Sequence, residues 1–433
     1  MVCRIQPGTA IGTGSPGVNH MKFIHHPWSA LGLSALLAMA APVGVRAAEP
    51  VAENAVSLRG FGTVGLTHNN TGGAEFIRDI VQPRGVADGW SRDVDSRIGL
   101  QVNAWLTAEI EAMAQAVSHY NHTGSYSPQL TWAFVSYAPK PELKARFGRL
   151  GWDAYQLADS RNVGYAYLWV RPPADYFGPL QLSYIDGADA AVTRELGSGL
   201  ASVKLYGGRA SQKIPSPPGS DYDLAGTRVL GANLDYRQGD WQLRTGYAAI
   251  QLSNELPDFV PLFAALRGTG SPTAAALAAD LSLADKTIEI VSAGAIYEHG
   301  PWQAQLMFNR TTSNTLAYPR KDSGYFLLAY RSGQWTPYVT LTGTRSQAAP
   351  QRGTGFPVPN PLDSAVSTSL AGAQSRQHTF SLGVRYDFMR NTALKIQLDR
   401  VRVQDSAALL WRNVQPGWNG RATVFSLALD FVF

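Results

Sequence analysis

Short stretches in which apolar and polar side chains alternate recur along the chain from about residue 56 to its end. In the last stretch Phe425, Leu427, Leu429, Phe431 and Phe433 share one face, and the residues between them share the other. Because successive side chains of a β-strand point to opposite sides of the sheet, a period of two predicts strands with one apolar and one polar face. The pattern therefore predicts an all-β protein.

Sixteen such stretches are predicted as strands. They cover approximately residues 56–67, 96–106, 109–119, 130–138, 143–150, 181–194, 200–208, 228–237, 241–251, 287–298, 302–310, 323–331, 335–344, 378–388, 393–402 and 422–433. The tenth is irregular, because Glu289 and Ile290 conflict with the face that Val291, Ala293 and Ala295 define.

The connections between these strands alternate between short and long. Short connections occur at 237–240, 299–301, 332–334 and 389–392, and long ones at 68–95, 151–180, 252–286 and 345–377. Short periplasmic turns and long extracellular loops are typical of bacterial outer-membrane barrels.

Aromatic pairs flank the short turns. Outer-membrane barrels place such aromatic girdles at the lipid boundary, although aromatic residues also favour strands in general. These pairs are Tyr236 and Trp241, Tyr297 and Trp302, Tyr330 and Trp335, and Tyr386 and Phe388.

The polar faces carry many charged side chains, among them Arg385, Lys395, Asp399 and Asp430. So many charges could not be buried in a dry core without a large desolvation cost, whereas a water-filled lumen accommodates them. A sheet in hydrocarbon must also close so that every backbone group has a partner. The prediction is a transmembrane antiparallel β-barrel of about 16 strands, with apolar faces turned to lipid.

The N-terminal segment has the features of an export signal. An apolar run at 30–41 follows Met21-Lys22 and precedes Val45-Arg46-Ala47, a small-residue cleavage pattern. We predict that residues 1–20 are a mis-annotated extension, 21–47 a signal peptide and 48–433 a single barrel domain. Removal of residues 1–47 lowers the net charge from +5 to +2 and removes the single cysteine, Cys3. The remaining chain has no basic stripe that would indicate nucleic-acid binding.

Three motifs add to this pattern. The first strand contains Gly-Phe-Gly-Thr at 60–63, the fifth ends in Phe-Gly-Arg at 147–149 before a long third loop, and the last ends on the aromatic residues Phe431 and Phe433. With these motifs the chain resembles the Gram-negative porin family of sixteen-stranded, typically trimeric barrels. The terminal motif resembles the signal read by the barrel-assembly machinery.

The resemblance implies a passive channel for small hydrophilic solutes or ions in the outer membrane, a homotrimer in contact with membrane lipid, and no cofactor. It also implies that the third loop, 151–179, folds into the barrel and narrows it. Opposed loop and wall charges would create a transverse field that sets ion preference. The loop candidates are Asp153, Asp159, Arg161, Arg171 and Asp175. The wall candidates are Arg59, Arg97, Arg146, Arg149 and Arg244.

The loop departs from the best-known family pattern, because it has fewer acids and many Tyr and Trp residues. This composition leaves room for a more solute-selective pore. A structural or adhesive barrel with a sealed lumen is the main alternative. An enzyme is a weaker one, because no G-x-S-x-G motif occurs and Ser381 and His378 lie on opposite faces of one strand. His119 and His122 lack the further ligands that a metal site needs, so no metal is expected.

The composition of loop 252–286 predicts short helices within it. Ser271 is placed to cap a helix that begins at Pro272 and continues through the alanines at 274–279. A second helical turn is predicted at 261–267, ended by Gly268.

Overall fold

The structure, a computed structural model, describes residues 55–216, 220–348 and 352–433. The predicted extension and signal peptide lie outside these residues. Sixteen long strands of the described chain, here β1 to β16, form one antiparallel sheet. They are Val56–Asn69, Arg97–Trp105, Ile110–His119, Gln129–Lys140, Leu143–Gly151, Tyr184–Leu196, Gly199–Arg209, Arg228–Gln238, Trp241–Gln251, Thr287–His299, Trp302–Ser313, Lys321–Tyr330, Trp335–Ser346, Ser375–Met389, Thr392–Ala408 and Arg421–Val432.

Each strand pairs with its neighbour in the chain, and β1 pairs with both β2 and β16, so the sheet closes into a barrel. Closure leaves no unpaired strand edge. The turn end of the barrel has the connections 106–109, 141–142, 197–198, 239–240, 300–301, 331–334 and 390–391. The loop end has 70–96, 120–128, 152–183, 210–227, 252–286, 314–320, 347–374 and 409–420.

The outer wall is apolar and the inner wall is largely polar. On β1, Val56, Leu58 and Val64 are 61–68% exposed, whereas the inward Thr63 and Thr67 are at most 3% exposed. The predicted aromatic girdle forms a band on the outer wall near the turn end. Its ring pairs across neighbouring strands are Trp241–Tyr297, Trp302–Tyr330 and Trp335–Tyr386, with centroids 4.6, 4.8 and 4.1 Å apart.

Every predicted strand overlaps an observed one, and the observed β10 resolves the conflict in the tenth. Ile288 and Ile290 point inward, and Glu289 and Val291 point outward. Glu289 accepts a hydrogen bond from the Tyr247 hydroxyl at 2.7 Å on the outer wall. The isoleucines face inward because this part of the lumen contains an apolar core, described below.

Closure between the first and last strands depends on two glycines. A Cβ atom on Gly60 would overlap the ring of Phe433, and one on Gly62 would overlap the ring of Phe431. Gly60 N donates to Phe433 O at 2.8 Å, and Phe433 N donates to Gly60 O at 3.0 Å. The Gly-Phe-Gly sequence of β1 therefore makes room for the terminal aromatic side chains.

The loops contain four α-helices among the described residues: Ala174–Phe177, Val260–Gly268, Pro272–Leu281 and Pro361–Gly372. Both predicted helices of loop 252–286 are confirmed, and Ser271 Oγ accepts a hydrogen bond from Ala274 N at 3.4 Å. Helix 361–372 was not predicted; its Val366 and Leu370 pack with the other two long helices. No helix in the described parts of the chain is long and apolar enough to cross a membrane.

Candidate functional site: the lumen of the barrel

The segment between β5 and β6, residues 152–183, lies inside the barrel and is called here the lumen loop. Most of its residues are buried, including Trp152, Tyr155, Trp169 and Tyr176. These side chains are buried because the loop packs against the inner faces of the strands.

One side of the lumen loop packs in an apolar core. The rings of Tyr155 and Tyr176 lie 4.8 Å apart, and Tyr176 and Trp169 lie 5.2 and 5.8 Å from Tyr325 of β12. Ile288 and Ile290 of β10 belong to the same core, together with Ile250 of β9. This side of the barrel is therefore filled with side chains.

Arg171 attaches the loop to the opposite wall. Its guanidinium binds Asp95 at 2.7 Å and Asp399 of β15 at 2.8 Å. It also donates to the hydroxyls of Thr67 and Ser426. Burial alone would lower the pKa of Arg171, but the charge of Asp95 and then that of Asp399 outweigh it and raise that pKa.

Asp95 belongs to the same buried network. It also binds Arg78 at 3.1 Å and accepts a hydrogen bond from Thr67 at 2.7 Å. Burial alone would raise the pKa of Asp95, but Arg171 and Arg78 hold it well below the usual range. The carboxylate is therefore charged, and the network ties the lumen loop to loop 70–96 and to the wall.

Two wall cations hold the loop backbone. Arg385 of β14 donates to the carbonyl oxygens of Tyr165 and Tyr167 at 2.7 and 2.8 Å. Lys395 of β15 donates to Gly164 O at 2.7 Å and pairs with Asp430 at 2.7 Å. Charged donors on the wall thus bind carbonyl groups of the loop backbone and fix the loop to the barrel.

Asp175 lies in the helix Ala174–Phe177 and is fully buried. It accepts hydrogen bonds from Thr342, Gln377 and Thr379 on β13 and β14. Burial raises the pKa of this carboxyl group although the three hydrogen bonds oppose the shift. Asp175 is a structural attachment rather than a group facing open lumen.

Asp153 attaches the start of the loop to β7, β8 and β9. It pairs with Lys204 and with Arg244, the latter at 2.6 Å, and its carbonyl accepts from Asn233 at 2.9 Å. Burial alone would raise its pKa, but the cations, Arg244 foremost, hold it well below the usual value.

A charged cavity of about 130 Å³ remains between the lumen loop and β5 to β9. Asp159 of the loop lines it and is only partly buried. Burial and the neighbouring charge of Asp153 raise the pKa of Asp159. The basic residues that line the cavity are Lys144, Arg146, Lys204, Arg237 and Arg244, and the acidic ones are Asp153, Asp159, Asp189 and Asp235. Charges of both signs thus face each other across this part of the lumen.

No protein-family model matches the sequence, and no curated protein matches it. Solved structures do match. An anion-selective porin from Comamonas acidovorans superposes with a TM-score of 0.52 at 13% identity, covering 88% of this chain and 100% of that one. The chain has the porin fold. OmpF of Salmonella typhi, in complex with daunomycin, matches with a TM-score of 0.53 at 9% identity over 88% of this chain and 98% of its own. OmpT, an outer membrane protein of Vibrio cholerae, matches with a TM-score of 0.51 at 11% identity over 89% of this chain and 100% of its own.

The porin fold brings several of the candidate residues together. Arg244 and Asp153 form an ion pair, and Arg146 lines the same cavity while pairing with Asp189 of the adjacent strand. Arg97 also meets the lumen loop, donating to Asn162 Oδ1 at 3.0 Å.

Other candidates lie away from the cavity. Arg59 is on the inner face of β1 but exposed near the turn end. Arg161 bonds within the lumen loop, to Leu182 O at 3.1 Å and Ser183 Oγ at 2.9 Å. Arg161 therefore holds the loop together, whereas Arg171 attaches the loop to the wall, and neither side chain faces open lumen.

The prediction that Arg149 lines the pore is wrong. Arg149 shares the outer face of β5 with Phe147, which is 74% exposed. It pairs there with Asp186 at 2.7 Å and lies over the ring of Tyr184. Residues three apart on a regular strand occupy opposite faces, so Arg146 and Arg149 could not both face the lumen.

The cavity is also lined by residues that were not among the predicted site residues, including Asp189, Lys204, Asp235 and Arg237. The period of two places them on inner faces, but it does not show which part of the circumference the lumen loop leaves open. That information comes from the folded barrel alone.

Proposed function

We propose that this chain is an outer-membrane channel for the passive diffusion of small hydrophilic solutes or ions, with the lumen loop as its constriction. The observation that carries the proposal is the charged cavity between Asp153 and Asp159 of the loop and the wall residues Lys204 and Arg244. A low-dielectric wall focuses the electric field of such charges on any solute that passes through the cavity.

The cavity has five basic and four acidic lining residues. The raised pKa of Asp159 reduces the negative charge further as the pH falls. We therefore propose a preference for anions, which the ion pairs across the cavity keep modest.

Export through a cleaved signal peptide would place the turn end in the periplasm. Phe431 and Phe433 are proposed as the signal for the barrel-assembly machinery; Phe433 is 59% exposed on the outer wall. The outer faces of β2 and β3 lack charged side chains within 98–104 and 110–118, and Ala104, Ala112, Ala114 and Ala116 lie there. This smooth apolar face supports contact between copies in a homotrimer.

The test is current across a planar lipid bilayer that contains the refolded protein. Discrete current steps are expected, and a salt gradient should give a reversal potential of the sign that anions produce. Asp159→Asn should shift this potential toward greater anion preference, and Arg237→Gln should shift it the other way. Asp240→Asn, in a short turn away from the cavity, is the matched control. Equal reversal potentials for all four proteins would show that the cavity is not on the conduction path.

A sealed barrel with a structural or adhesive role is the second candidate. The apolar core around Tyr176 and Tyr325 favours it, because it fills one side of the lumen. A protein that is folded in lipid but never conducts would support this candidate and contradict the channel.

A further inference from the structure

Lys321 is a buried cation without an acidic partner. It begins β12, points into the barrel and is 3% exposed. Its ammonium group lies 5.3 Å from the centre of the Tyr318 ring, and no carboxylate in the described parts of the chain forms an ion pair with it. The buried cations Arg171 and Lys395, by contrast, both have acidic partners. Because an aromatic ring offsets only part of the cost of removing a charge from water, Lys321 lacks a counter-charge.

Lys321 lines a small cavity in the apolar core between the lumen loop and β9 to β12. The cavity has a volume of about 30 Å³. This is room for about two water molecules, or for one ion of the size of chloride. Thr311 lies directly opposite Lys321 on β11, and Asn309 lines the cavity from the same strand. Tyr176 and Gln181 of the lumen loop line it from the other side.

The cavity offers hydrogen-bond donors to an anion. Tyr176, Asn309 and Thr311 are at most 6% exposed, and their hydroxyl and amide groups can donate. The Tyr176 hydroxyl has no hydrogen-bond partner of normal geometry, and the Thr311 hydroxyl has none among the described residues. Buried polar groups without a protein partner indicate a bound water molecule or ion.

The acids nearest in sequence to these lining residues are bound elsewhere. Asp175, beside Tyr176, accepts hydrogen bonds from β13 and β14. Asp322, beside Lys321, pairs with Arg310 on the outer wall at 2.6 Å. The negative charge that Lys321 needs therefore has to come from a ligand.

We propose that this cavity binds one small monovalent anion, of the size of chloride or bromide, between Lys321 and the lumen loop. The ion would accept hydrogen bonds from Lys321, Thr311 and Tyr176 and neutralise the buried cation. Ile250 and Ile288 line the apolar part of the cavity and cannot replace the hydration shell of sulfate or phosphate, so these larger ions are excluded.

The ion would attach the lumen loop to β11 and β12, on the side of the loop that otherwise packs through aromatic rings and isoleucines. The site depends on the docked loop and does not depend on conduction through the barrel. Loss of the site and loss of the channel function are therefore separate results.

Diffraction from crystals of the folded protein grown in sodium bromide tests the location of the ion. The anomalous signal of bromide should give a peak within hydrogen-bond distance of Lys321 Nζ, and crystals of Lys321→Met should lack this peak. Methionine keeps the apolar stem of the side chain but carries no charge. A parent protein without the peak would overturn the proposal, because Lys321 would then be uncharged beside water.

Hydrogen exchange tests whether the ion attaches the loop in solution. Two buffers of equal ionic strength contain sodium chloride or sodium gluconate, whose anion is too large for the cavity. At a chloride concentration ten times the dissociation constant, opening of the loop should be about elevenfold rarer. Peptides from residues 174–183 should then exchange about elevenfold more slowly in chloride. Equal exchange in the two buffers would contradict the proposal.

Three variants distinguish this site from other places where an anion could bind. Lys321→Met should lose the chloride dependence of exchange. Thr311→Val keeps the shape of the side chain but removes a donor to a charged group, so it should weaken chloride binding about tenfold. Lys213→Met, which breaks an exposed pair with Asp223 at 3.9 Å, should respond to chloride like the parent protein.

The shift of the unheated band on electrophoresis checks that each variant forms a barrel. If Lys321→Met did not fold, Thr311→Val would decide the question. An undiminished chloride response in either of these two variants would show that the anion binds elsewhere, and the assignment to this cavity would be wrong.

Discussion

Replacement of Arg171 by glutamine should release the lumen loop from the wall. Arg171 is 2% exposed, and the side chains of its partners Asp95 and Asp399 are 0% and 4% exposed. Glutamine can keep one hydrogen bond but supplies no charge. Two buried carboxylates then lose their shared cation.

The magnitude follows from these partners. Removing one member of a buried ion pair costs about 3–5 kcal/mol. Asp95 still binds Arg78 at 3.1 Å, so most of the loss falls on Asp399, and the lower end of the range applies. About 3 kcal/mol corresponds to a change of about two orders of magnitude in the equilibrium between docked and released loop.

Hydrogen exchange followed by mass spectrometry measures this equilibrium. Peptides from the lumen loop should exchange up to about a hundredfold faster in Arg171→Gln, because local opening becomes that much more frequent. Peptides from β5 and β6 should change little. In single-channel records the variant should show larger current fluctuations than the parent protein.

Two further proteins make the result decisive. Arg171→Gln combined with Asp399→Asn should recover part of the protection, since the unpaired carboxylate is then neutral. Arg194→Gln, which breaks an exposed pair with Glu142 at 3.8 Å, should exchange like the parent protein. Unchanged exchange of the lumen loop in Arg171→Gln would refute the assignment of Arg171 as an attachment of the loop to the wall.

Four other outcomes are expected. Gly60→Ala should destabilise the barrel by about 1–3 kcal/mol in urea titrations, because the added methyl group meets the ring of Phe433, whereas Gly372→Ala, with open space around it, should not. Deletion of Phe433 should lower the amount of assembled barrel in cells, and normal amounts would contradict its role as a signal. Leu427→Arg should cost about 2–4 kcal/mol when the protein is folded in lipid, because Leu427 faces outward near mid-height, opposite Leu66. Anion preference should increase as the pH falls, because Asp159 has a raised pKa and loses its negative charge on protonation before carboxyl groups of ordinary pKa do; Asp159→Asn should show a smaller increase in bilayer reversal potentials.

The sequence was sufficient for the wall of the barrel. A period of two is a property of the strand itself, so the inward and outward faces of β1 or β16 can be assigned before any partner is known. The positions of the girdle residues follow from local sequence as well, because Trp335 and Tyr386 each flank a short turn, although their ring contact joins two strands that a long loop connects. Even the helix after Ser271 is specified by its own cap and alanines.

The interior depended on the tertiary structure. Arg171 meets Asp95 and Asp399 across separations of 76 and 228 residues, and no local pattern relates them. The local rule, applied strictly, would have excluded Arg149 from the lumen, since it lies three residues from Arg146. It could not show that β9 to β12 receive the aromatic core while β5 to β9 border the charged cavity. Strand faces are set by backbone geometry within a few residues, whereas the path of the lumen loop is set by charges and rings that only closure of the barrel brings together.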